Sequence, residues 1–487
     1  MKKKLSIIKS GLLAFMLIAT TSCESWIDVE PTDRLSEDKV FSTQKGFLQS
    51  LNGVYAEMNN NSVYGGNLSV GLIDGMAQYY NAGSDNGYTY YYTARYDYNN
   101  TSLKNTFESV WSKMYNLITS VNIIIEKCDQ TNVLSAQYQK MIKGEALALR
   151  AMYHLDLLRI YGPIMSANAT EKAIPYMTLS DQNIQDILTA DVVIGKIISD
   201  LNQASELLKD TDPIITDGVM SKPTAEDDTD LCYRQYRLNY YAVQALLARA
   251  NLWKGDKSAA LQIAKDVIEE AGSIFPFTTY ATATGSKPDR MFSSEVMFSL
   301  YNSNRINVYR KYFAPTLDIR NILTFAGTLD SGRVPELYDS QNDFRYMMWA
   351  IPQEGETNLV FNKFEDVSIK DGSTNHYCYM MPLIRFSELY LIAAECETEF
   401  DQAVQYLNTL RNKRNCPDLN ILDVNELKSA ITNEFRKEMI GEGQMFFYYK
   451  RNAMETIPNG SSTSGNTSMP LKNYVVPVPE SEIDNRM

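Results

Sequence analysis

Eight tyrosines fall within the 21 residues from Gln78 to Tyr98, in the run QYYNAGSDNGYTYYYTARYDY. Tyrosine carries a flat apolar ring and a hydroxyl at its tip, and it gives up little side-chain entropy on binding. A cluster of this kind suits stacking on the C–H faces of sugars or gripping an extended peptide, with Tyr88, Tyr90, Tyr91, Tyr92 and Tyr96 as the candidate contacts. So many rings left exposed together would promote aggregation, so several are also expected to fold back onto helices. A second stretch, Tyr301 to Phe313 (YNSNRINVYRKYF), mixes Tyr, Asn and Arg as polar-ligand sites do. Tyr301, Arg305 and Tyr309 are its candidates, with Trp349 farther along; a half-buried strand and loop is the plain structural alternative.

Catalytic chemistry finds less support. Glu395, Glu397 and Glu399 cluster, but a helix places 395 and 399 on one face and 397 elsewhere. Glu434, Glu438 and Glu442, spaced i,i+4 beside Arg436 and Lys437, read as a solvated or salt-linked helix face. Glycoside hydrolysis needs two carboxylates about 5–10 Å apart across a cleft, which no spacing here specifies. Glu226, Asp227, Asp228 and Asp230 offer oxygen ligands to a structural calcium ion, but without the alternating pattern and glycine of a dedicated loop. Only two histidines occur: His154 lies in a helical pattern, and His376 is far from it, so a multi-histidine metal site is excluded. Neither a Gly-x-Gly-x-x-Gly unit nor a phosphate-binding lysine motif is present. No enzyme is specified, and no cofactor is implied.

The elements that must position these residues are mostly helical. A basic start (Lys2, Lys3, Lys4 and Lys9) and an apolar run from Gly11 to Ala19 end in Thr-Thr-Ser-Cys, an export leader over 1–22 with Cys23 as the candidate lipidation site. Residues 23–35 read as a tether, and 36–487 as one domain. Helices are expected over Thr106–Lys127, Ser135–Tyr161 and Thr189–Leu208. Two alanine-rich hairpins follow, Tyr240–Trp253 with Ser258–Glu270, and Glu388–Thr398 with Gln402–Arg414. They resemble degenerate tetratricopeptide-like pairs, separated in sequence but adjacent in space. Helical repeats thus occupy about 36–271 and 384–441, and a loop-rich segment, about 272–383, carries short strands at Glu295–Tyr301 and Leu359–Phe364. Five cysteines besides Cys23 form no CxxC pair, and their pairing is left open. With 46 basic against 59 acidic residues, the net charge of −13 disfavours binding nucleic acid.

Together these stretches resemble the SusD/RagB family of outer-membrane lipoproteins from Bacteroidota. The resemblance rests on WIDVEPTDRLSEDKVF after Cys23, on Trp111, Tyr115 and Asn122, and on GEALALRAMYHLDLLRIYGPI with Arg150, Tyr153, Asp156 and Gly162. Asp343 with Arg345, Arg385 with Glu388, FRKEMIGEGQMFFYYKR and VVPVPESEIDN complete it. It implies a mainly α, SusD-like fold, with most motif residues structural. It also implies a non-catalytic lid that captures nutrient oligomers and delivers them to a TonB-dependent SusC/RagA-like transporter. The protein would sit at the outer membrane, lipid-anchored and facing the exterior. FFYYKR departs from the W-x-D-L-x-R sequence of many glycan-associated members, which keeps oligopeptides beside glycan oligosaccharides as ligands. A helical-repeat scaffold with no nutrient ligand is the alternative, and it expects the tyrosine loop to be buried or disordered.

Overall fold

The computed structural model describes residues 37–181, 183–220, 230–351, 358–365, 376–484 and 486. The leader, Cys23, the tether and the carboxylates of Glu226, Asp227 and Asp228 lie outside the described residues. Among the described residues no helix is long and apolar enough to cross a membrane, and no cluster of His, Cys, Asp and Glu could hold a metal ion.

Helices dominate. Those of seven residues or more are α1 (Gln44–Glu57), α2 (Thr101–Gln130), α3 (Ala136–Tyr161), α4 (Ala190–Leu208), α5 (Tyr240–Lys254), α6 (Lys257–Ala271), α7 (Arg305–Tyr312), α8 (Phe386–Cys396), α9 (Phe400–Asn412), α10 (Val424–Glu438) and α11 (Met445–Arg451). Asn100 caps α2 through its side chain, so that helix starts a turn and a half before the expected Thr106. Ser135 caps α3, which is buried along most of its length and stops at Gly162 ahead of Pro163. The hairpins form as expected. Gly255, at φ 93°, closes the first in the left-handed conformation, and Asp256 caps α6. The hairpins also meet in space: Arg249 of α5 holds Glu388 of α8 in a bidentate pair at 2.8 and 2.6 Å.

The loop-rich segment is built on one antiparallel pair. Strand β1 (Val296–Tyr301) runs beside β2 (Met380–Arg385), with Val296 opposite Arg385 and Tyr301 opposite Met380. The sequence shows β1 by its alternation. It hides β2, whose fully buried MMPLIR lacks a polar face and runs directly into α8. Leu359–Phe364 yields only a two-residue strand, Val360–Phe361, followed by a 3₁₀ turn. The stretch after Tyr301 is α7, not strand and loop, because Val308 and Tyr312 share its buried face at i,i+4 spacing.

The acidic ladder of α10 is salt-linked and wholly buried. Glu438 meets Arg345, Arg385 and Arg414; Glu434 meets Arg345, Arg411 and Lys437. Arg414 also grips Glu295 just ahead of β1 at 2.8 and 2.6 Å, and Glu442 takes Lys363 and Arg385. Burial alone would raise the Glu434 carboxyl, but Arg345 and Lys437 outweigh it and hold it at about 2, below the ordinary 4.5. Burial is likewise outweighed at Glu438, whose three guanidiniums hold it well below its ordinary value. Carboxyls with depressed folded-state pKa values stabilise above their unfolded values and lose that contribution as pH falls. Stability measured by urea unfolding should therefore fall steeply between about pH 5 and pH 2; a flat profile there would contradict the ionised network.

Candidate functional site

The tyrosine-rich loop is packed more than displayed. Tyr79, Tyr80 and Tyr96 are buried, and the Tyr96 hydroxyl donates to the Met76 carbonyl at 2.8 Å. Tyr90 lies on Gly75, where a Cβ would come within 3.0 Å of its ring. Tyr88 covers Gly83, at φ 61°, so closely that a Cβ there would sit 2.1 Å from the ring. The half-buried Tyr91 stacks under Arg95 at 3.7 Å and meets Tyr92 edge-on at 5.2 Å. Thr89 ties the loop to Arg320 and Asn321. These rings hold one another and their own loop, and Tyr88, Tyr90, Tyr91, Tyr92 and Tyr98 are only partly exposed.

Two further candidates prove to be interior. Arg305 is 2% exposed and donates to the Tyr377 carbonyl at 3.1 Å. Trp349 is 3% exposed, with Phe325 at 4.4 Å and Phe361 at 4.7 Å. Burial removes both from a ligand's reach in this conformation. Tyr309 is half-buried and donates to the Asn362 side chain at 3.2 Å.

Tyr301 is the exception: at the end of β1 it is 53% exposed. It lines a cavity of about 450 Å³ with Tyr233, Tyr236, Tyr379, Arg237, His376, Asn52, Asp230 and Cys232. Its ring lies 5.5 Å from Tyr236, edge-on, and 5.1 Å from Tyr379. Each ring has a rigid support. Asn59 donates to the Tyr301 carbonyl, and the Tyr379 carbonyl accepts from the Asn302 amide at 2.7 Å. Tyr236 donates to the His376 carbonyl at 3.1 Å. The 3₁₀ turn Arg234–Tyr236 is held from below by fully buried Arg234, bidentate to Asp212 at 2.9 and 2.8 Å and bonded to Glu145 at 2.7 Å. Burial opposes the Arg234 charge, but the two carboxylates outweigh it and raise its pKa. Glu145 in turn accepts from Tyr55, whose ring lies under Arg237. Tyr233 sits at φ 53°, a left-handed conformation uncommon for an aromatic residue, which turns it out beside the cavity.

Four rings with an arginine, an asparagine, a histidine and an aspartate can stack on a ligand's apolar faces and hydrogen-bond its edges. They are poorly equipped to cleave one. Among the described residues the lining holds a single carboxylate, Asp230, where glycoside hydrolysis takes two. Glu395 is sequestered by Arg451 and Glu397 by Lys265. Of this cavity, sequence reasoning identified Tyr301 as a ligand contact, and Asp230 only as a candidate calcium ligand. CYRQYR (232–237) and HYCY (376–379) interleave aromatic and polar residues much as YNSNRINVYRKYF does, and that interleaving could have found them.

The FFYYKR run lies elsewhere. Phe446, Phe447, Tyr448 and Tyr449 are buried, and Lys450 donates to the carbonyls of Arg159, Ile160 and Gly162 at the end of α3. Arg451 pairs with Glu395. This segment has a structural job and does not reach the cavity.

Known proteins show the same plan. The family model described as starch-binding, associating with outer membrane, matches residues 25–225, and the SusD family model matches residues 348–486. A SusD-like protein of Formosa agariphila is 24% identical, covering 91% of this chain and 90% of its own length; a second from the same organism is 21% identical over 88% and 86%. Among solved structures, a SusD superfamily protein from Bacteroides thetaiotaomicron superposes with a TM-score of 0.69 at 22% identity, covering 91% of this chain and 98% of its own. A SusD-like carbohydrate binding protein from Bacteroides vulgatus gives 0.68 at 18% identity, covering 91% and 96%.

Proposed function

The chain belongs to the SusD/RagB family, and from that premise we propose that it binds glycan oligomers in the Tyr301 cavity and passes them to a partner TonB-dependent transporter of the SusC/RagA type. It does so from the outer membrane, anchored through lipid on Cys23 and facing the cell exterior. The observation that carries this reading is the cavity itself, where supported rings of Tyr236, Tyr301 and Tyr379 surround a space of ligand size. The packed tyrosine loop is what a scaffold without a ligand expects, but such a scaffold would have no use for 53% exposure of Tyr301 within this cluster. The glycan reading is favoured over oligopeptides because the FFYYKR departure belongs to the helical core and has no bearing on ligand chemistry. The printed name of the Bacteroides vulgatus neighbour, a carbohydrate binding protein, supports the same choice.

Binding of this kind is weak by construction. Three or four stacks toward the upper end of about 0.5–1.5 kcal/mol each total near 5 kcal/mol, a Kd of roughly 0.1–1 mM, which lets the ligand leave for the transporter. Calorimetry of residues 25–487 against matched glycan-oligomer and peptide-oligomer pools tests the reading. Heat is expected from glycans, and Tyr301→Ala should weaken binding by about three- to tenfold. Heat from peptides alone would replace the ligand class, and silence from both pools would favour the scaffold.

A further inference from the structure

A small cavity, of about 40 Å³, shares no residue with the Tyr301 cavity and lies where α3, α5, α8 and α11 meet. Its wall carries the guanidiniums of Arg159, Arg249 and Arg451, the carboxylates of Glu388 and Glu395, and the indole of Trp253. Trp253 and Arg159 are each 3% exposed. Even so, Trp253 Nε1–H and Arg159 Nε–H find no acceptor among the described residues. Phe447, also in the wall, brings these two donors together: the Arg159 guanidinium lies over its ring at 4.1 Å, and the Trp253 ring meets it edge-on at 6.5 Å. The carboxylate and amide acceptors of the wall are already engaged. Glu388 accepts from Arg249 at 2.8 and 2.6 Å, Glu395 accepts from Arg451 through both oxygens, and Gln444 Oε1 accepts from Arg159 at 2.9 Å. Negative charge is short as well. Lys450 bonds the Arg159 carbonyl at 2.8 Å, so that four cations (Arg159, Arg249, Arg451 and Lys450) stand against three carboxylates (Asp156, Glu388 and Glu395). The next carboxylate, Glu442, is committed to Lys363 and Arg385. Burial, with Arg249 beside it, pulls the Arg159 pKa below its ordinary value in spite of Asp156.

We infer that this cavity binds a chloride ion, held by Trp253 Nε1 and Arg159 Nε, as a structural ligand that ties both helical hairpins to α3 and α11. Its size admits a water-sized occupant and excludes sulfate, phosphate or a carboxylate. A water would answer the two orphaned donors but leave the charge deficit, whereas a halide answers both. An approach is provided too. A wider cavity, of about 280 Å³, shares Glu395 and Tyr448 with the small one. The exposed Lys257 and Lys428 line that wider space, and their charges draw small anions toward it. The site belongs to the helical body, and its assignment is independent of what the Tyr301 cavity binds.

Crystals grown in sodium bromide test the assignment, because bromide scatters anomalously and water does not. An anomalous peak is expected within hydrogen-bond reach of both Trp253 Nε1 and Arg159 Nε. Heat unfolding in sodium chloride against sodium gluconate, at equal ionic strength, gives the counterpart in solution. The midpoint should rise by about 1–3 °C in chloride and level off as the site fills. Trp253→Phe keeps an aromatic ring and removes one donor, and it should lose at least half of that rise. Comparing the variant with itself in the two salts separates loss of the site from loss of packing. Where Trp253→Phe does not fold, bromide occupancy and the salt response of the wild-type protein decide between them. Ordered density without an anomalous peak would identify a water and overturn the site. So would bromide confined to exposed lysines, or equal midpoints in the two salts despite a peak in the cavity, which would mean binding at crystal concentration only. A full chloride response retained by Trp253→Phe would overturn it as well.

Discussion

Replacing Glu438 with glutamine is expected to cost about 3–5 kcal/mol of stability, because it leaves three guanidiniums in the core without their shared countercharge. Arg345, Arg385 and Arg414 converge on this one carboxylate, and none of them reaches water. Intact, the network is no great source of stability, since the desolvation of every member offsets most of the attraction. Broken, it leaves the three arginines only their other carboxylates, Asp343, Glu434, Glu442 and Glu295, and the buried network one negative charge short. A domain of total stability about 5–15 kcal/mol would lose a fifth or more of it. Urea unfolding of the variant beside wild type measures the effect. A midpoint unchanged within error would mean that the arginines find solvent or other partners, and that the network is looser than its geometry.

The second large effect is expected at Lys450. Its ammonium caps the end of α3, donating to the carbonyls of Gly162 and Arg159 at 2.7 and 2.8 Å and to that of Ile160 at 3.3 Å. The final carbonyls of a helix have no partner within it and carry the negative end of its dipole. Burial and the neighbouring Arg159 pull the lysine pKa well below its ordinary range. Lys450→Met keeps the apolar stem and removes the donors; Ile160 keeps the Val476 amide, but the Arg159 and Gly162 carbonyls lose this donor at a cost of about 3 kcal/mol. The loss should appear as a lower urea midpoint with ligand affinity at the Tyr301 cavity unchanged in the folded protein. Weaker ligand binding without lost stability would contradict a purely structural role and reopen FFYYKR as part of the ligand face.

The helical hairpins and the capped helices were readable from periodicity, small residues and caps, because those signals are local. Ser135, Gly162 and Gly255 mark ends that can be placed from the sequence alone. The partner of β1 was not, since a strand buried on both faces lacks alternation and here joins a helix without a break. Ion pairing of the acidic ladder was legible, but its burial was not: five of its partners, Arg345, Lys363, Arg385, Arg411 and Arg414, come from outside α10. The ligand face was only partly legible for a related reason. Tyrosine density marks both packing and binding, and which one a ring serves depends on what lies opposite it. Glycines at 75 and 83 drew Tyr90 and Tyr88 inward, while Tyr301, at a strand end beside two other supported rings, stayed out.

Strand β2 begins beside Tyr379 in the cavity and ends at Arg385, which is clamped to Glu438 and Glu442 in the buried network. Its partner β1 ends at Tyr301 and starts beside Glu295, clamped to Arg414. The pair therefore works as two stiff struts bolted to the same base, with no glycine along either strand to act as a joint. A ligand tugging on those rings loads the helical body directly. Under the proposed delivery to a transporter, ligand and carrier would then turn as one piece, and release would have to come from what the transporter does to the open side of the cavity.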